Sequence, residues 1–159
     1  MTSLKLHSGH IEVAVANLFN YRLHTIVPNV SWGLGLSHEC DMLILDKQGR
    51  FTEVEIKISL SDFKADFKKG HGHQSQIISR LVYAFPEKLD QWALENVPVN
   101  SGLISVRHEE KRGFIAEWIR VNQHSKHIQK PSDKIISKFM SLGCMRIWSL
   151  KTALYKKGN

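Results

Sequence analysis

Two acidic residues and a lysine on neighbouring predicted strands are the side chains of this sequence best suited to chemistry. Asp41 lies in the segment CDMLILD, and Glu55 and Lys57 lie in the segment FTEVEIKI that follows. The two segments are joined by KQG, residues 47–49, which predicts a three-residue hairpin loop. Its last position favours the left-handed backbone conformation that glycine adopts readily.

The length of this loop sets the register of the hairpin. With three loop residues, Asp41 lies directly opposite Glu55, and opposed side chains share a face of the sheet. Lys57 returns to that face because side chains alternate along a strand. A two-residue turn would instead pair Asp41 with Val54 and separate the two carboxylates. The other face is apolar and predicts a core, with Met42, Ile44, Val54, Ile56 and Ile58.

Two carboxylates and an ammonium group on one face suit phosphodiester hydrolysis. Carboxylates bind hard divalent cations such as Mg²⁺, and the Ile56 carbonyl between Glu55 and Lys57 offers a further oxygen ligand. Such a cation polarises a phosphodiester and lowers the pKa of bound water. A lysine beside it orients or deprotonates the water, or stabilises the transition state. The alternative is that Glu53, Glu55 and Lys57 form the solvated face of an amphipathic strand.

Asp41, followed after a hairpin by Glu55-Ile56-Lys57, with a helix before and a helix and strand after, resembles the PD-(D/E)XK nuclease superfamily. The resemblance covers residues 8–106 in element order. The stretches SQIISRLVYAFPEKL and VPVNSGLISV are similar to small DNA-repair and phage or mobile-element nucleases of that superfamily. The fold implied is α/β, a restriction-endonuclease-like αβββαβ core with a central mixed four-stranded sheet, plus a C-terminal strand and helices. Cys40 stands where the motif's name has proline.

The resemblance also implies a function and roles for individual residues. Asp41, Glu55 and the Ile56 carbonyl would bind Mg²⁺, for which Mn²⁺ can substitute, and Lys57 would be the catalytic lysine. Glu12, on the first helix, matches an acidic residue that some members add to the site. The implied activity is metal-dependent hydrolysis of DNA in repair, recombination or mobile-element processing.

Hydrophobic periodicity and stop signals predict the elements around the hairpin. We expect helices over residues 8–24, from Ser59 or Ser61 to Gly70, over 132–142 up to Gly143, and over 145–156. We expect strands over 30–36, 40–46, 51–58, 101–106 and 114–121. The near-helical spacing of Tyr83, Phe85 and Trp92 indicates a further helical segment interrupted by Pro86, and Trp148 and Tyr155 predict a stripe by which the last helix docks on the domain.

Positive charge is concentrated at the end of the chain, which has 159 residues and a net charge of +7. Residues 1–119, the predicted nuclease-like core, carry 13 Lys and Arg against 14 Asp and Glu. Residues 120–159, a basic extension expected to pack on the same domain, carry nine against one. This asymmetry favours nucleic acid over membrane as a partner, the alternative being a solubilising tail. The candidate DNA contacts are Lys68, Lys69, His71, His73, Gln74, Lys134 and Lys138.

Several other classes of protein are not indicated. The sequence has no apolar run long enough to span a bilayer, no secretion signal and only two cysteines, so we expect a cytoplasmic protein without a disulfide framework. His38 with Cys40, and His71 with His73, offer zinc ligands, but no CxxC or HExxH spacing is present. Strand alternation turns Cys40 toward the core, away from Asp41, so zinc is not expected.

Two rival functions remain open at the level of sequence. The first is a catalytically silent DNA-binding module, although such a protein has no physical need to keep Asp41, Glu55 and Lys57 together. The second is a nuclease subunit that cuts only with a partner protein, because 159 residues leave little room for target recognition. A homodimer would suit paired cuts in a duplex. DNA against RNA and endonuclease against exonuclease action also stay open.

Overall fold

A single mixed sheet of six strands organises the chain, of which the computed structural model describes residues 6–31, 33–68 and 75–156. Helices cover both faces of this sheet. The elements in chain order are α1 (Ser8–Leu18), β1 (Thr25–Val30), β2 (Cys40–Leu45), β3 (Phe51–Ile56), α2 (Leu60–Phe67), β4 (Ile78–Pro86), α3 (Asp90–Asn96), β5 (Gly102–Glu109), β6 (Gly113–Arg120) and α4 (Asp133–Lys156).

The strands lie in the sheet in the order of the chain, β1 to β6. β3 with β4 and β4 with β5 pair in parallel, whereas the other neighbours are antiparallel. The predicted αβββαβ order is present, but two of its strands come from other residues than expected. The first is residues 25–30 instead of 30–36, and the fourth is residues 78–86 instead of 101–106. The sheet therefore has six strands, not four.

β4 was missed in the sequence because both of its faces are buried. Val82 and Ala84 pack into the apolar cluster beneath α1, whereas Tyr83 and Phe85 pack into a cluster on the opposite face. A parallel strand covered on both sides has a nearly continuous apolar sequence, which periodicity cannot distinguish from a buried helix. The helical interpretation of Tyr83 and Phe85 was wrong for this reason.

The first helix is shorter than predicted, and the strand after it begins earlier. α1 ends at Leu18, and Asn20 follows in the left-handed conformation with φ 55°. Pro28, expected to close the helical segment, lies inside β1. β1 is an edge strand, and proline is tolerated there because a missing N–H need not break a ladder bond.

Up to residue 156, where the description of the chain ends, the basic C-terminal region contains one long helix instead of two. α4 continues through Gly143, where a Cβ atom would lie 3.1 Å from Cγ2 of Val27 on β1. Glycine therefore allows helix and strand to approach closely instead of ending the helix. Phe139 is fully buried, whereas Trp148 and Tyr155 are 67% and 78% exposed, so the predicted docking stripe is wrong. Among the described residues, no helix is both long and apolar enough to cross a membrane.

The two faces of the sheet differ in a way that places the predicted site. Beneath α1, a single apolar cluster extends from β2 to β6. The opposite face carries two separate clusters, one around Phe51 and Phe139 and one around Phe63. Glu53 lies between these two, because its strand neighbours are Leu43 of the first cluster and Leu81, which packs against the second.

Gly49 gives a test of the hairpin turn that sets the register. Its φ is +73° and a Cβ atom would meet nothing within 4 Å, so any cost of a side chain is torsional. We expect Gly49→Ala to lower the free energy of unfolding by about 1 kcal/mol, because left-handed strain outweighs the reduced freedom of the unfolded chain. Gly9→Ala, in the helix α1 and equally open, serves as the control and should not destabilise. Urea denaturation measures both, and equal losses would contradict this explanation.

Candidate active site on the hairpin

The hairpin has the register that the three-residue loop predicts. Leu43 pairs with Glu53 and Met42 with Val54. Asp41 lies just beyond these pairs, close enough to Glu55 for its charge to raise the pKa of that carboxyl group. Oδ2 of Asp41 accepts a hydrogen bond of 2.7 Å from the backbone N–H of Ile56. The carboxylate of one strand is thus fixed against the backbone of the other, beside the second carboxylate.

The charged side chains of β3 and the residue after it are buried. Glu53 is 0% exposed, Glu55 is 5% exposed and Lys57 is 6% exposed. The alternative of a solvated amphipathic strand is therefore wrong. Burying charged groups costs several kcal/mol each unless they are paired, so this arrangement needs compensating contacts.

Lys57 supplies the main compensation, since its ammonium group bridges two carboxylates. Nζ lies 2.8 Å from Oε2 of Glu55 and 3.1 Å from Oδ1 of Asp66 on α2. Tyr83 of β4 donates a hydrogen bond of 3.4 Å to the other oxygen of Asp66, and its ring centroid lies 5.9 Å from Nζ. Burial acts to lower the pKa of Lys57, but the carboxylates of Glu55 and Asp66 outweigh it and raise the pKa. Lys57 is therefore a cation.

Glu55 keeps one oxygen available for a further partner. Burial raises the pKa of Glu55, the charge of Lys57 opposes this, and the charge of Asp41 adds to it. Oε1 is buried and accepts no hydrogen bond from the part of the chain that the structure describes. A buried oxygen without a donor is costly in a folded protein, and a bound cation would remove that cost.

Glu12, on α1, adds a third carboxylate to those of Asp41 and Glu55. It is partly buried. Its pKa is raised first by burial and then by the charge of Asp41, so the two carboxylates interact. The hairpin and α1 together concentrate negative charge at one point, and a divalent cation would relieve the repulsion.

The predicted DNA contacts are only partly described. Lys68 is exposed at the C-terminal end of α2, and Lys134 is exposed in the first turns of α4. Lys138 is exposed but its side chain lies against the backbone of Gly33. The remaining predicted contacts lie outside the described residues, namely Lys69, His71, His73 and Gln74.

Sequence reasoning missed the two residues that hold Lys57. Asp66 sits between Phe63 and Phe67 on α2, and an acidic residue on the apolar face of an amphipathic helix was the available signal. Tyr83 pairs with Glu55 across the parallel strands β3 and β4. This pairing could not be predicted because β4 itself was not recognised in the sequence.

A second group of side chains meets close to the first. Nε2 of His38 lies 2.5 Å from Oε1 of Glu53 and 3.8 Å from Sγ of Cys40. Burial, and then the charge of Glu53, raises the pKa of the Cys40 thiol. Cys40 is buried as expected, but it packs with Leu43 and not with Met42. The alternation that was to turn Cys40 away from the carboxylates fails at this end of β2.

A serine, a histidine and an aspartate also meet near the hairpin loop. Oγ of Ser79 lies 2.6 Å from Nδ1 of His124, whose Nε2 is 3.8 Å from Asp46. Ser79 is buried and donates a hydrogen bond of 2.9 Å to the carbonyl oxygen of Phe51, so its hydroxyl group is directed at the sheet. Burial and the nearby Arg80 lower the pKa of His124 to about 4. This group secures the chain after β6 to the hairpin and presents no exposed nucleophile.

Comparison with known proteins gives a family and a fold. A family model described as "DNA repair protein MmcB-like" matches residues 5–154. A solved structure, described as the SPO1766 protein of unknown function from Silicibacter pomeroyi, superposes with a TM-score of 0.66 at 20% identity, covering 98% of this chain and 97% of the other. At that identity the likeness concerns the fold alone. A search of the curated proteins gives no significant match.

The buried ion pairs of Lys57 predict a pH-dependent loss of stability on substitution. Lys57→Met removes the cation and leaves Glu55 and Asp66 buried, which should lower the free energy of unfolding by about 3–5 kcal/mol at neutral pH. The pKa of Glu55 is already raised with Lys57 present, and loss of the cation raises it further, so the stability of the variant falls more steeply than that of wild type as pH rises. The loss should therefore shrink toward pH 4. Urea denaturation of wild type and variant at both pH values measures this, and a pH-independent loss would contradict it.

Proposed function

Because the chain belongs to the MmcB-like DNA repair protein family, we propose that it is a metal-dependent nuclease that hydrolyses DNA phosphodiester bonds by PD-(D/E)XK chemistry. The observation that carries this proposal is the buried Glu55–Lys57–Asp66 cluster beside Asp41. A protein that only bound DNA would gain nothing from burying three charged groups at the end of a hairpin, because phosphate contacts are made by exposed cations.

The residues present fit the metal that this chemistry needs. Asp41, Glu55 and the Ile56 carbonyl would hold Mg²⁺, with Mn²⁺ as a substitute, and the unsatisfied Oε1 of Glu55 supports this assignment. Glu12 adds negative charge at the same point. When bound, the ion would polarise the phosphodiester and activate water.

The role of Lys57 follows from its neighbours. The charges of Glu55 and Asp66 raise the pKa of Lys57, which favours the role of a cation over that of a base. Its ammonium group instead orients the attacking water and stabilises the charge that develops on the phosphate. Asp66 is a positioning residue, since it fixes Nζ from the side opposite Glu55, and Tyr83 fixes Asp66 in turn.

The DNA backbone would be held by exposed cations on α4 and at the end of α2. Lys134 at the start of α4 and Lys68 at the end of α2 are exposed on elements that cover the same face of the sheet as Glu55. Contacts of this kind position the backbone and carry little sequence information.

Two matched aspartates allow the catalytic proposal to be tested. Asp41 and Asp62 are both half-buried, and each accepts a hydrogen bond from a backbone N–H, of Ile56 and Ile58 respectively. Asp41→Asn should reduce Mg²⁺- or Mn²⁺-dependent cleavage of supercoiled, linear and single-stranded DNA by at least about 100-fold, because a metal ligand is lost. Asp62→Asn should retain activity.

The controls separate several outcomes of that cleavage assay. Unfolding temperatures establish that both variants fold. Equal cleavage by Asp41→Asn and wild type would contradict the proposed site. No cleavage by wild type on any substrate, with DNA binding intact, would instead favour a silent binding module or a subunit that requires a partner.

The basic region predicts salt-dependent DNA binding. Lys134→Gln together with Lys138→Gln should weaken binding and reduce the slope of log affinity against log salt by about one for each phosphate that the variant no longer neutralises. Lys111→Gln together with Arg112→Gln serves as the control. These residues lie in the turn between β5 and β6, at the edge of the sheet opposite to β1, on which α4 packs. Fluorescence anisotropy at several salt concentrations measures the slopes. Identical slopes for the two double variants would exclude α4 from the DNA interface.

A further inference from the structure

We propose that His38, Cys40 and Glu53 form a separate metal site, which takes a borderline-soft divalent cation of the Zn²⁺ class. Each residue offers one ligand atom, and the three atoms lie within 4.8 Å of one another. The site uses neither Asp41 nor Glu55, and it does not depend on the proposed nuclease function.

The distances suit a tetrahedral ion after a small adjustment. Zinc bonds of about 2.0–2.3 Å separate tetrahedral ligand atoms by about 3.3–3.8 Å. Sγ of Cys40 is 3.8 Å from Nε2 of His38, which already agrees. Oε1 of Glu53 is 2.5 Å from the same nitrogen, the length of a direct hydrogen bond. An ion entering between them would open this pair by about 1 Å, which a rotation of the Glu53 carboxylate can provide.

The kinds of ligand atom identify the class of metal. A thiolate and an imidazole are soft or borderline ligands, which favour Zn²⁺ over Mg²⁺ or Ca²⁺, whose sites consist of oxygen atoms. Three protein ligands leave a fourth position for water. The carboxylates of Asp41 and Glu55 offer oxygen only, so the two sites should prefer different ions.

The surroundings hold the three side chains in place. Cys40 and Glu53 are fully buried on paired neighbouring strands, and His38 lies at the partly exposed entrance. Oγ of Ser37 lies 3.4 Å from Nδ1 of His38. A partner on the nitrogen that does not bind metal orients the ring and directs the other nitrogen toward the ion.

The position of the site indicates what the ion would do. His38 belongs to the bends that lead into β2, whereas Cys40 and Glu53 belong to the sheet. A metal would therefore fasten the connection between β1 and β2 to β3. It would do so next to Asp41, so that the same ion stiffens the strand that carries the predicted active-site aspartate.

Cobalt is the probe for this site, because Co²⁺ replaces Zn²⁺ and a cobalt–thiolate bond gives a near-ultraviolet charge-transfer band. Full-length protein is stripped with a chelator and titrated with Co²⁺. We expect the charge-transfer band together with visible bands of tetrahedral intensity, and we expect Zn²⁺ to displace the Co²⁺. The Co²⁺ bands should saturate at one ion per protein molecule, and added Mg²⁺ should not displace that ion.

The two cysteines of the chain provide a matched pair of variants. Cys40 is buried at the cluster, whereas Cys144 is exposed on α4. Cys40→Ser should abolish the charge-transfer band, and Cys144→Ser should retain it. Asp41→Asn should also retain it, which separates this site from the one proposed for Mg²⁺. His38→Gln, at the exposed entrance, should weaken Co²⁺ binding by more than the 10–100-fold typical of losing an outer partner.

Each contrary result would overturn the proposal. No charge-transfer band in wild type means that His38, Cys40 and Glu53 form only a hydrogen-bonded cluster. A band that persists in Cys40→Ser, or that disappears in Cys144→Ser or Asp41→Asn, places the metal elsewhere. Circular dichroism confirms folding of each variant. If Cys40→Ser does not fold, unchanged Co²⁺ affinity in His38→Gln still contradicts the site.

Discussion

The ammonium group of Lys57 is the constraint on which the face of the sheet beneath α2 depends. It lies between Glu55 of β3 and Asp66 of α2, so a strand and a helix are joined through one buried charge. Burying three ionised groups is favourable only when their geometry is fixed, because their desolvation must be offset by close contacts. The neighbouring apolar clusters supply this rigidity by holding α2 and β4 in place. The contacts that stabilise this part of the fold are therefore the same contacts that fix the positions of the buried charged groups.

The face of the sheet that carries these charges is divided, and the division has a physical basis. One apolar cluster centres on Phe51 and Phe139, and another on Phe63 and Phe85. Carboxylates inside either cluster would lack partners, whereas between them they meet cations, hydroxyl groups and imidazole. The result is a polar strip in which two sets of potential ligands lie side by side, one made of oxygen atoms and one containing sulfur and nitrogen. Asp41 and Cys40 are consecutive in sequence, yet they belong to different sets.

Short-range signals in the sequence were enough to predict the hairpin, its register and the meeting of Asp41 with Glu55. They suffice because loop length and strand alternation are local properties. What they missed depends on contacts between distant segments. β4 carries no alternation because helices cover both of its faces, Gly143 continues a helix because β1 lies against it, and Asp66 reaches Lys57 only after α2 packs on the sheet. Each miss has the same cause, since tertiary contacts override a local preference.

The first edge of the sheet also limits how copies of the protein can join. Pro28 lacks an N–H, and Asn29 beside it adopts a left-handed conformation, so β1 cannot offer a regular row of donors and acceptors to a strand from another molecule. β6, at the other edge, has eight residues and pairs with β5 in unbroken antiparallel register from Trp118 to Gly113. Growth of the sheet across a molecular boundary would therefore proceed in one direction only, which permits a closed pair of molecules but not an open fibre.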